Sequence, residues 1–161
     1  STQGVSSAAS DVYKRQPYFV PDQTMMAALS TAALRGVRVE VLTPANGDHP
    51  TVQWAARAHY WQVLEHGVRI FERPGPFDHS KLMLIDGQWC CLGSANWDAR
   101  SLRLNFEFNV EVYDTALSTR LESLFDAARD ASNEISAMAL RARPLAIRLR
   151  DGVARLFTPI L

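Results

Sequence analysis

The sequence predicts an α/β fold, a mixed and largely parallel sheet flanked by helices. Three observations predict it. Runs with strand-like alternation and runs with helical spacing take turns over residues 17–73. Glycine or proline punctuates each change. Strand-like runs then follow one another directly over 79–113, which makes the sheet mixed.

The elements come in order. Residues 1–16, "STQGVSSAASDVYKRQ", are rich in Ser and Ala and show no periodicity. They resemble artefactual ends translated from assembled environmental reads, and are expected to be a non-native tail outside the fold. The domain is expected over 17–140. "PYFVPD", 17–22, reads as a short aromatic strand end stopped by Pro21. Asp22 caps a helix over 22–35 that Gly36 ends, with Met25, Met26, Leu29 and Leu34 on its apolar positions. "VRVEVLTP", 37–44, is a strand, 50–66 a helix closed by Gly67, and "VRIFER", 68–73, a strand. After the "PGP" loop, strands are expected at 79–86, 88–93 and 106–113, then one helix over 116–139.

The segment 141–161 differs in kind. Five arginines stand against one aspartate, interleaved with Leu145, Ile147, Leu149, Val153, Leu156, Phe157 and Ile160. Such a basic amphipathic segment either lies on an anionic membrane surface or packs as a terminal helix.

Bulk composition is that of an ordinary globular domain: 161 residues, 47% hydrophobic, 21% charged. Basic and acidic residues balance at 17 each, so no global charge argues for nucleic acid. Only Lys14 and Lys81 are lysines, against fifteen arginines. Cys90 and Cys91 are adjacent, point to opposite faces of a strand, and offer neither a disulfide nor a zinc motif.

Chemistry concentrates in "HSKLMLIDGQWCCLGSAN", 79–96. On a strand His79 and Lys81 share a face. Asp86-Gly87 turns the chain, and the return strand delivers Gly93, Ser94 and Asn96 near His79. Imidazole, ammonium, hydroxyl and amide thus meet at one end of a hairpin. An imidazole can attack phosphorus or move a proton. An ammonium and an amide can hold non-bridging oxygens, and Gly93 admits a close backbone approach. His49, His59 and His66 lack ligand spacing and read as surface residues, and Tyr60-Trp61 as helix packing.

The spacing His-x-Lys-x4-Asp-x6-Gly-Ser-x-Asn matches the signature of the phospholipase D superfamily at His79, Lys81, Asp86, Gly93, Ser94 and Asn96. "PYFVPD", "AALRGVRVEVLTP", "EHGVRIFE", "NWDARSLRLNFEFNVEVYD" and the basic ending resemble the second half of bacterial cardiolipin synthases. The resemblance implies phosphatidyl transfer through a phosphohistidine, without metal or cofactor. Phosphatidylglycerol is donor and acceptor, and glycerol leaves. It makes His79 the second-motif histidine, a general acid and base, with Lys81, Asn96 and Ser94 on phosphate oxygens. Glu107 would orient the imidazole, its carboxylate set between Phe106 and Phe108 on a different face from Asn105. Asp86 and Gly93 would be structural. The expected place is the bacterial cell membrane, held peripherally.

Only one His-x-Lys occurs among the four histidines, whereas the family's site uses two. The missing motif is expected from an N-terminal half, this chain being a fragment, or from a second copy of the chain. The alternatives are a one-motif dimeric phospholipase or nuclease, and a lipid-binding half-domain without catalysis.

Overall fold

Local signals start and stop the helices where the sequence places them. In the computed structural model, which describes residues 10–98, 101 and 104–157, the Asp22 carboxylate accepts from the Met25 amide at 2.9 Å and opens α1 (Gln23–Leu34). Helix α2 (Pro50–Leu64) begins with proline at its first position. Gly36 and Gly67, both at φ above 90°, end the two helices in a conformation that a side chain disfavours.

The strands are β1 (Asp11–Arg15), β2 (Phe19–Val20), β3 (Arg38–Pro44), β4 (Arg69–Arg73), β5 (Leu82–Ile85), β6 (Trp89–Gly93), β7 (Trp97–Asp98), β8 (Asn109–Val112) and β9 (Asn133–Ile135). The main sheet runs β8-β6-β5-β1-β3-β4-β9, and β2 pairs with β7 separately. β1, β3 and β4 form a parallel centre. β5, β6 and β8 extend it antiparallel on one side, β9 on the other. The expected mixed α/β sheet is therefore present, parallel at its middle.

Alternation sends side chains to two cores. Val12, Val39, Val41 and Ile70 pack beneath α1 and α2, with Met26, Tyr60 and Val63. Tyr13, Leu42, Phe71 and Leu84 pack beneath α3 (Thr115–Asp130). There Phe125 stacks on Tyr13 at 5.1 Å and is 1% exposed. Burying a side chain of that size contributes roughly 1.5–3 kcal/mol. Glu40, also 1% exposed, accepts from Arg69 at 2.7 Å and Arg129 at 2.9 Å, so α3 is tied to the sheet by a shared carboxylate.

Two expectations about elements are corrected. The exclusion of 1–16 from the fold fails for Asp11–Arg15, which fill the middle of the sheet as β1; residues 1–9 lie outside the described residues. The helix expected over 116–139 ends at Asp130, because Asn133–Ile135 leave it to pair with the edge of β4. The chain then forms α4 (Ala137–Arg141) and α5 (Leu145–Leu156). Helix α5 packs on α2. Its buried Asp151 accepts from Arg143 and Arg150, both at 2.7 Å, which fixes the α4–α5 turn.

Candidate active site

β5 runs antiparallel to β1, so the start of β5 lies beside the carboxyl end of β1. That is also the carboxyl end of parallel β3 and β4, where open α/β sheets place their ligands. His79 and Lys81 lie just before β5 in extended backbone, and the ladder reaches them through the Gly93 amide, which donates to the Lys81 carbonyl at 3.4 Å.

His79 is exposed and Lys81 is buried. The Lys81 Nζ stands 3.1 Å from His79 Nδ1 and 3.3 Å from Nε2, and donates to the His79 carbonyl at 2.9 Å. Near-equal distances put the ammonium beside the ring rather than in line with one lone pair. Burial pushes the Lys81 ammonium below the ordinary lysine range, while the charges of Glu107 and Asp98 oppose that shift. The imidazole is flanked by Tyr18, edge-on at 6.0 Å, and Phe77 at 5.7 Å. The Tyr18 hydroxyl in turn donates to Asp48.

Asn96 is half-buried, and its Oδ1 accepts from the buried Gln16 Nε2 at 3.2 Å. That bond leaves the Asn96 amide nitrogen as the donor available to an anionic oxygen. Ser94 faces the neighbouring loop: its Oγ accepts from the Phe108 amide at 2.9 Å. Glu107 is held below the ordinary carboxylate range, first by the Ser94 hydroxyl, then by the Asn105 amide and the Lys81 charge.

Two expectations about Glu107 change. Asn105 Nδ2 donates to Glu107 Oε1 at 3.2 Å, so the two share a side, as residues two apart on an extended chain must. Phe106 and Phe108 are both exposed, so they do not wall the carboxylate in. Among the described residues Glu107 makes no hydrogen bond to His79; its partners are the Ser94 hydroxyl, the Asn105 amide and the Lys81 charge.

Gly93 serves a close approach of a different kind from the one expected. A Cβ there would lie 2.0 Å from Asn109 Oδ1 and 2.5 Å from the Phe108 carbonyl, so β8 itself fills the space. Asp86 stands at the far end of the hairpin at φ 53°. Its Oδ1 accepts from the Ser10 and Asp11 amides at 2.7 and 2.9 Å, joining the β5–β6 turn to the start of β1.

Sequence reasoning missed Gln16, Tyr18, Phe77 and Asp98. Each lies outside the motif, and chain separation hides it. His59 is not the surface residue expected: it is 8% exposed on α2, and neither ring nitrogen is hydrogen-bonded among the described residues. Its place three and four residues after Ala56 and Ala55, and four before Val63, is the signal that puts it on the buried stripe. Desolvation, with Arg155 nearby, lowers its pKa to about 4.

A family model described as cardiolipin synthase, PLD-like domain, matches residues 2–129. Cardiolipin synthase 1 of Staphylococcus epidermidis is 38% identical over 160 residues, 99% of this chain and 33% of that protein. Cardiolipin synthase of Staphylococcus aureus is 37% identical over 157 residues, 98% of this chain and 32% of that protein. The chain thus spans about a third of the length of these relatives. Among solved structures, the phospholipase D family member Nuc of Salmonella typhimurium aligns with a TM-score of 0.70 at 20% identity, covering 81% of this chain and 84% of that one. Phosphatidylserine synthase of Haemophilus influenzae aligns with a TM-score of 0.73 at 16% identity, over 94% and 42%.

Proposed function

The chain belongs to the cardiolipin synthase, PLD-like domain family, and from that premise we propose that it supplies one half of a phosphatidyltransferase site. The observation that carries this reading is the Lys81 ammonium held 3.1 Å from the His79 imidazole at the carboxyl end of the sheet, with Asn96 just past the return strand. One histidine of a facing pair attacks the phosphorus of phosphatidylglycerol, forming the phosphohistidine. His79 gives its proton to the departing glycerol oxygen. It then takes the proton of the hydroxyl of a second phosphatidylglycerol, which attacks phosphorus and frees the nucleophilic histidine. Lys81 and the Asn96 amide hold the non-bridging oxygens as charge builds on them. Ser94 and Glu107 set the wall of the site rather than touching the ring.

The facing motif comes from another part of the protein or from a second copy. A surface suited to receive it borders the site. Leu104, Phe106, Phe108 and Tyr113 are each at least 74% exposed around β8, the edge of the sheet. An apolar patch beside an open strand edge is a docking surface. No helix of the described residues is long and apolar enough to cross a membrane.

Co-expression with a cardiolipin synthase from which the third that this chain matches has been deleted tests the proposal. Glycerol release from phosphatidylglycerol is expected to return with this chain and to stay absent with His79→Ala, at a loss of roughly 10²–10⁴-fold. Equal turnover by His79→Ala overturns the assignment. Turnover by the chain alone, as a dimer in sedimentation, moves it to the one-motif reading.

A further inference from the structure

Away from the motif, a cleft of about 380 Å³ opens between α2, α4 and α5. Arg57, Arg141, Arg143, Arg148 and Arg155 line it against one acidic side chain, Asp151. Three of the arginines are engaged by the fold: Arg57 with Glu72 at 2.8 Å, Arg141 with Glu65, and Arg143 with Asp151. The Arg148 side chain, by contrast, has no hydrogen-bond or ion-pair partner among the described residues. Helix α5 starts at Pro144 without a side-chain cap, so the positive end of its dipole adds to the field of the cleft.

The rim is apolar. Trp61 on α2 is 43% exposed, and Leu145 and Leu149, which also line the cleft, are 67% and 61% exposed. Val153 and Leu156 continue them at spacings of four and three, one face of the helix, while Asp151 and Ala154 take the buried side. Arg148 and Arg155 border that stripe on one flank and Arg150 on the other. A soluble phosphate has no use for exposed leucines, and an apolar partner has no use for unpaired arginine. An anionic amphiphile answers both.

We propose that this cleft seats the phosphate of an anionic phospholipid at a bilayer surface, apart from the phosphate handled at His79, with the Leu145–Leu156 stripe lying in the interface. The helix then lies flat, arginines at headgroup level and leucines below. The site is independent of the transferase reading, since it shares no residue with the motif.

The test is co-sedimentation of the 161-residue chain with phosphatidylcholine vesicles, with and without phosphatidylglycerol. Binding is expected only with phosphatidylglycerol. Arg148→Gln is expected to weaken it roughly fivefold, the worth of one arginine near an anionic surface, and Leu149→Asp to weaken it further. Arg120→Gln removes the same charge from exposed α3, across the sheet, and is expected to leave binding unchanged. Equal weakening by Arg120→Gln would mean diffuse attraction and overturn the cleft. Loss of binding in His79→Ala would place the contact at the motif and overturn it too. Displacement by soluble glycerol 3-phosphate would identify a free-phosphate site and overturn the lipid.

Discussion

Lys81 and Lys14 stand on neighbouring stretches of one sheet, are 7% and 4% exposed, and live in opposite company. Lys81 has the His79 imidazole and carbonyl within 3.3 Å, and Glu107 and Asp98 in electrostatic reach. Lys14 has the face of Trp97 at 4.4 Å from its Nζ, and no hydrogen bond or ion pair among the described residues. Desolvation, with Lys81 adding repulsion, lowers the Lys14 pKa to about 8. That shift from 10.5 costs about 3 kcal/mol, and a desolvated cation–π contact offsets about 2 of it. The difference teaches where a buried charge belongs. At the mouth of the hairpin the ammonium has polar company, which the proposed function would complete with an anionic oxygen; in the middle of β1 the same group is a load on the fold.

Lys81→Met is the largest expected break between them. Turnover in the complementation assay should fall roughly 10²–10³-fold through loss of charge stabilisation, with melting unchanged or raised. A variant that keeps its turnover would make Lys81 structural. Lys14→Met should do the reverse, raising stability by about 1–3 kcal/mol and the melting temperature by about 2–4 °C for each of them, with turnover within a few-fold. A lower melting temperature would mean that Trp97 holds the ammonium more firmly than burial opposes it.

The same contrast has a pH signature. The folded-state pKa of Lys14 lies near 8, below the 10.5 of the free side chain. Between those values the unfolded chain binds the extra proton, so stability rises with pH across that window. Tyr13, pushed up to about 12 by burial, acts with the opposite sign above pH 10. Denaturant melts from pH 8 to 10 should therefore show wild type gaining on Lys14→Met. Parallel curves would show that Lys14 titrates normally.

β1 also shows why part of the fold escaped the sequence. Strands and helices with clean periodicity, such as 37–44 and 50–66, were legible within two residues at either end. β1 was not, because Lys14 within it and Gln16 just after it occupy buried positions where the pattern demands apolar residues. β7 and β9 are two and three residues long, too short to carry a period. Within the candidate site, the hairpin that carries His79, Lys81, Ser94 and Asn96 was legible because these residues lie close along the chain. Tyr18 and Asp98 reach the same place through the β2–β7 pairing, a contact between residues nearly eighty apart that no spacing in the chain announces.

The smallest expected effect tests the other end of the same hairpin. Asp86 belongs to the signature as much as Lys81 does, yet among the described residues its side chain binds only the amides that open β1 and the Ser10 hydroxyl. Its φ of 53° is one that aspartate and asparagine tolerate better than other side chains. Asp86→Asn keeps both the shape and an oxygen acceptor and gives up only the charge on those hydrogen bonds. Stability should drop by about 1 kcal/mol and turnover should hold. A loss of turnover without a change in melting would mean that the hairpin transmits its far turn to His79, and that the motif is one unit rather than a site with a distant brace.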